Sequence, residues 1–218
     1  MKFHDYYKKI RSLLLEGELP GKPAQYKMAP LTRHQPKRTA NRETRHAGVL
    51  LLIYPAGYEY YTIFIRRASY NGVHSGQISL PGGKYEPHDK DLITTALRET
   101  EEEIGVPANE IEIMGKLTPL YIPVSDYCVH PVVGVLKSEP TFKKDYKEVE
   151  EIFSVKLDSL TAPECLVSCG SIYEHERYIE APYFHYDKIK IWGATAMILS
   201  EFIEVHCNVS NQIFVKKG

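Results

Sequence analysis

The chain has 218 residues, enough for one substantial hydrophobic core. With 43% hydrophobic and 25% charged residues its composition is globular, and a formal net charge of −1 excludes whole-molecule attraction to nucleic acid or an anionic membrane. Any site for a polyanion must therefore be local.

Residues 5–15, DYYKKIRSLLL, place Tyr6, Ile10 and Leu13/Leu14 at helical spacing and predict an amphipathic first helix, which EGELPGKP ends. The N-terminus carries no unbroken apolar stretch of the signal-peptide kind. The longest apolar run, GVLLLIY, is far short of the ~18 residues that span a bilayer, so a cytoplasmic protein without membrane contact is expected. From Lys22 to His46 the chain is polar, basic and rich in proline. This reads as an irregular arm, so that residues 1–45 form a helix and basic arm packed on a domain of residues 46–218.

The β-branched and aromatic stretches AGVLLLIY (47–54) and YYTIFIRR (60–67), joined by PAGYE, predict a β-hairpin whose first strand is buried on both faces. Further short strands are expected at 77–80, 111–117, 127–136, 171–179 and 181–186, with helices at 91–104 and 192–206. Strands interspersed with helices, without strict βαβ alternation, predict an α/β fold: an α/β/α sandwich with a mixed β-sheet. Cys165 and Cys169 have metal-ligand spacing but no second pair to complete a zinc site. The four cysteines are expected to be free thiols of a reducing compartment, this pair buried.

The helix at 91–104 carries the chemistry. At 100° per residue, taking Glu99 as the origin, Glu103 falls at about 40° and Glu102 at about −60°, whereas Glu101 points away at about 200°. Ile93, Leu97, Thr100 and Ile104 form an apolar stripe beside them, and Arg98 reaches back toward the preceding loop. Asp89 or Asp91 is available as N-cap, and Gly105 followed by Pro107 as the stop. Clustered carboxylates near the C-terminal end of a helix are electrostatically unfavourable, and a divalent cation with oxygen ligands, Mg²⁺ or Mn²⁺, resolves the conflict. A Glu-rich solvated face is the alternative, but Arg-Glu-x-x-Glu-Glu-x-Gly fixes five positions and arises by chance in such a chain on the order of 10⁻⁴ of the time.

The stretch GG…RETEEEIGV, Gly82 to Val106, resembles the Nudix box, a loop–helix–loop that hydrolyses a nucleoside diphosphate linked to another moiety. Thr100 stands where an aliphatic is usual, the spacing from Gly83 lands on Asp89 rather than Glu, and the loop to Arg98 is one residue longer. The resemblance implies Glu99, Glu102 and Glu103 as ligands of Mg²⁺ or Mn²⁺ and Arg98 as their organiser. Upstream, RRASYNGVHSGQISLPGGKYE looks like the signature of the coenzyme A pyrophosphatase branch, with Leu80 in place of a usual Phe. YCVHPVVGVL and KIWGATAMIL extend the likeness over about residues 45–203. This implies a small-molecule nucleotide substrate bound by Arg67, His74, Gln77, Gly82 and Gly83. Because strand side chains alternate, only one of Arg66 and Arg67 should face the cleft, and the motif selects Arg67.

The general base stays open between Glu99 and an acid from outside the box, with KEVEEIF (Glu148, Glu150, Glu151) as the reservoir and an exposed helix start as its plain alternative. Trp192 is available to stack on adenine or to fill the core. ADP-ribose, a dinucleotide or a damaged nucleotide competes with coenzyme A as substrate, and a nucleotide-sensing domain competes with an enzyme. A homodimer is compatible with the resemblance.

Overall fold

The computed structural model describes residues 3–30, 39–68, 76–174 and 177–214. Two helices, α1 (Phe3–Glu16) and α2 (Gly21–Tyr26), precede a hairpin of β1 (Arg45–Ala56) and β2 (Glu59–Arg67). The short strands β3 (Ile78–Ser79) and β4 (Gly82–Lys84) lead into α3 (Leu92–Ile104). Then come β5 (Glu112–Lys116), β6 (Leu120–Ile122), β7 (Tyr127–Val135), β8 (Val149–Lys156) and the short α4 (Leu157–Leu160). A second sheet of β9 (Leu166–Glu174), β10 (Arg177–Tyr186) and β11 (Ile189–Trp192) precedes α5 (Gly193–Phe214).

The main sheet is mixed. Its path is β3-β2-β1-β7-β5, with β4 on β1, β6 on β7 and β8 on β2; β1 and β7 run parallel and the other pairs antiparallel. Leu50 to Tyr54 are all buried, and successive side chains enter opposite layers: Leu51 and Ile53 on the side of α1 and α5, Leu50, Leu52 and Tyr54 on the side of α3. This is the expected sandwich, with its first strand buried on both faces.

The N-terminal helix docks through Tyr6, Ile10 and Leu14, and the Tyr6 hydroxyl lies 2.6 Å from Nδ1 of buried His206 on α5. The arm after it is not wholly irregular. Gly21–Tyr26 is helical because tertiary bonds hold a helix too short to stand on propensity: Gln25 Nε2 donates to the Thr118 carbonyl at 2.7 Å and to Glu201 Oε2 at 2.8 Å. Glu201, fully buried on α5, also accepts from the backbone N and the hydroxyl of Thr118.

Four further expectations are corrected. The strands expected at 171–179 and 181–186 are a hairpin of 166–174 with 177–186, and the expected break is a register shift between Ala181 and Tyr183, around Pro182, which cannot donate to a ladder. Glu150 and Glu151 lie on strand β8, not at a helix start. Cys165 is buried, but Cys169 is exposed on β9, its Sγ 3.5 Å from Glu180 Oε2. Trp192 is half-buried at the end of β11, and α5 continues past the expected 206 to Phe214. Among the described residues no helix is long and apolar enough to cross a membrane.

Removing the Glu201 carboxylate takes an acceptor from the buried Gln25 amide and from the partly buried amide and hydroxyl of Thr118 at once. Glu201→Ala is expected to destabilise the protein by about 3 kcal/mol, and urea unfolding should show the midpoint fall with little change in slope.

Candidate active site

Helix α3 is held at both ends. The Asp91 side chain accepts from the Thr94 amide at 2.8 Å as N-cap, and Gly105 closes the helix with φ 72°, its amide donating to the Glu101 carbonyl. Thr100, buried where an aliphatic was the norm, gives its hydroxyl proton to the Ala96 carbonyl at 2.6 Å, so the polar atom costs the core little.

Arg98 organises the outer edge of the helix. Its Nε and Nη2 meet the two Asp89 oxygens at 2.9 and 3.0 Å, and Nη1 reaches Glu99 Oε1 at 3.1 Å and Glu102 Oε2 at 3.0 Å. The Asp89 carboxylate also accepts from the Glu86 amide and the Thr95 hydroxyl. The Arg98 guanidinium, followed by these donors, holds Asp89 well below the usual carboxylate range. The longer loop therefore still delivers an acid to Arg98.

Glu103 faces the sheet with no exposed surface. It accepts from the Gly82 amide at 2.8 Å and from Arg67 Nη1 at 3.2 Å. Burial pushes its carboxyl up to about 8; Glu99 and Glu148 push the same way, against Arg67 and the Gly82 amide. Burial also raises Glu99, with Arg98 opposing. Close approach requires glycine at Gly82, and a side chain at Gly83 would displace the Glu99 carboxylate. Gly82 has φ 144° and lies over β1, and a Cβ on Gly83 would come within 2.5 Å of both Glu99 carboxylate oxygens.

Glu148 completes the group. Ligand atoms of Glu99, Glu103 and Glu148 lie within 4.8 Å of one another. The loop before β8 brings Glu148 there because it is tied to the end of α3: Lys143 N donates to the Ile104 carbonyl and Asp145 N to the Glu103 carbonyl. Ala68 N then donates to the Glu148 carbonyl, beside Arg67. All-oxygen donors of like charge, one of them fully buried, fit a hard divalent cation.

The sequence-derived set is thus largely brought together. Glu99, Glu103, Arg67, Gly82 and Gly83 converge, and the Gln77 carbonyl accepts from the Arg67 amide. Glu102 stands apart, 56% exposed and paired with Arg98. Arg66 turns from Glu103 toward Glu151 and the Phe153 ring. His74 lies outside the described residues. Sequence reasoning placed Glu148 only in a pool of possible bases, because its approach depends on a loop fold that no local pattern encodes.

The NUDIX domain family model matches residues 44–168. A curated protein of Photorhabdus laumondii subsp. laumondii named as an uncharacterized Nudix hydrolase, NudL, is 34% identical over 176 residues, covering 78% of this chain and 88% of that one. Its namesake from Yersinia pestis (strain Pestoides F) is 37% identical over 140 residues, covering 63% and 68%. The crystal structure of RenU, a Nudix hydrolase from M. smegmatis, superposes with a TM-score of 0.51 at 16% identity, over 76% of this chain and 87% of that one, a likeness of fold.

The raised Glu103 has a signed consequence. Its folded value lies above the ordinary ~4.3 of an unfolded glutamate, so the folded state binds more protons in the interval and loses stability as pH rises from about 4.3 to about 8. In metal-free buffer the Tm of Glu103→Gln relative to the unsubstituted chain should therefore climb steadily from pH 5 to pH 8. A flat difference would place the carboxylate in a solvated setting.

Proposed function

Because the chain belongs to the Nudix hydrolase family, it is a pyrophosphohydrolase acting on a nucleoside diphosphate linked to another group, and we propose that this substrate is coenzyme A or a derivative. The products would be 3′,5′-ADP and 4′-phosphopantetheine. The hydrolytic reading rests on one observation above others, the convergence of Glu99, Glu103 and Glu148 around a buried, under-neutralised carboxylate. Coenzyme A is supported by the run RRASYNGVHSGQISLPGG and by the seating of its Arg67 against Glu103.

Glu99 and Glu103, with Glu102 turned inward from its pairing with Arg98, would hold Mg²⁺ or Mn²⁺, which would supply Lewis acidity to phosphoryl oxygens and acidify a bound water. Arg98 positions the Glu99 and Glu102 carboxylates. Arg67 offers its remaining N–H donors to the diphosphate, as a planar fork suits that group, and Gly82 and Gly83 let the backbone approach it. His74 and Gln77 complete the substrate contacts in this reading. A carboxylate oxygen of Glu148 takes the proton of the attacking water. Four free thiols suit a reducing cytoplasm.

The purified chain, incubated with Mg²⁺ or Mn²⁺ and separately with coenzyme A, ADP-ribose, NADH and diadenosine polyphosphates, is expected to release 3′,5′-ADP from coenzyme A with the highest kcat/KM by chromatographic product analysis. Glu99→Gln and Glu103→Gln should each lower kcat by roughly 10³, comparable to losing one preorganised charge contact at a transition state. Glu148→Gln should lower kcat with little change in KM, as read from steady-state kinetics. A faster alternative substrate would sink the coenzyme A assignment alone, and nucleotide-induced stabilisation without cleavage of any substrate would replace catalysis by sensing.

A further inference from the structure

Away from the acidic cleft, the described residues hold a second group of metal-ligating side chains. Ligand atoms of His46, Cys128 and His130 lie within 4.8 Å of one another. The parallel pairing of β1 and β7 creates the group by setting His46 opposite Cys128 and Gly48 opposite His130. Since side chains alternate, all three residues point to one face. It is the α3 face, where Gly48 packs against Leu92 and Ala96. The group lies beside the N-terminal end of α3, since Gly48, opposite His130, closely approaches the Leu92 carbonyl in its first turn.

The spacing suits a tetrahedral ion. His46 Nδ1 is 3.0 Å from His130 Nε2, and a tetrahedron with metal–nitrogen bonds of about 2.0–2.1 Å has N···N edges of about 3.3 Å, so a shift of a few tenths of an ångström admits a metal. A histidine pair joined by one hydrogen bond needs no thiol beside it, whereas imidazole plus thiol is a soft to borderline donor set, chemically opposite to the all-carboxylate cleft.

We propose that His46, Cys128 and His130 bind a borderline-soft transition metal ion of the Zn²⁺ class, with a fourth position left to solvent or an added ligand. The ion displaces the Cys128 thiol proton as the metal–sulfur bond forms, so binding releases about one proton to solvent. The two sites then sort metals by donor chemistry: oxygen-seeking ions at Glu99 and Glu103, thiophilic ions at β1 and β7.

The test uses the full chain, stripped with chelator and titrated with Co²⁺, then with Zn²⁺. Thiolate-to-cobalt charge-transfer absorption should saturate at about one equivalent, bleach on adding Zn²⁺ and accompany proton release in weak buffer. Cys128→Ser should abolish the band. His46→Asn, a substitution at an exposed position, and His130→Gln should each weaken metal affinity by at least roughly 10-fold. Glu103→Gln should leave the band in place. Absence of the band in the unsubstituted chain, its survival in Cys128→Ser, or unchanged affinity in His46→Asn would each overturn the proposal.

Discussion

Glu103 is fully buried in the last turn of α3, where the helix dipole disfavours negative charge, and Arg67 meets it at 3.2 Å. Much of the surrounding architecture answers that placement. The Gly82 amide donates to it, which requires β4 to lie flat on β1 with φ 144° at Gly82. Arg67 must come off the end of β2 on the correct side, and the register irregularity between Arg66 and Arg67 against β8 lies at that point. Even so the donors do not match the desolvation, which is why burial still pushes the carboxyl up to about 8.

The same constraint explains the loop between β7 and β8. Helix carbonyls in the last turn need partners, and Lys143 and Asp145 supply their amides to Ile104 and Glu103. Satisfying the backbone of α3 thereby pulls the loop across its end and delivers Glu148 to Glu99 and Glu103. A structural need of the helix and the assembly of a three-carboxylate group are met by one set of bonds. The β1–β7 parallel pair does comparable work at the other end of the helix, aligning His46, Cys128 and His130 by register alone.

What the sequence disclosed divides along the range of the forces involved. The periodicity of β1, the wheel of α3 and its stop at Gly105 are local, and they were legible to within a residue or two. Strand alternation allowed only one of Arg66 and Arg67 to face Glu103, but it was the resemblance, not the alternation, that chose between them. What escaped was set by tertiary bonds: the short α2 held by Gln25, the continuous β10 interrupted only near Pro182, and the seat of Glu148. Glu102 illustrates the limit within the helix itself. The wheel puts it on the arc of Glu99 and Glu103, yet side-chain length lets Arg98 draw it to the solvent side.

Asp89 shows why spacing in a motif is a weaker constraint than the atoms it delivers. An aspartate is one methylene shorter than a glutamate, and the loop before Arg98 is one residue longer. The extra backbone folds into a turn closed by the Asp89 amide on the Glu86 carbonyl, and the carboxylate reaches both Nε and Nη2 of Arg98 while accepting from Glu86 and Thr95. The requirement is a bidentate oxygen pair at the guanidinium, because a planar fork is rigid and a single oxygen leaves a partly buried donor unpaired. Here a short acid on a long loop meets that requirement. With Arg98 anchored from behind by Asp89, its Nη1 is free to hold Glu99 in place at the edge of the cleft.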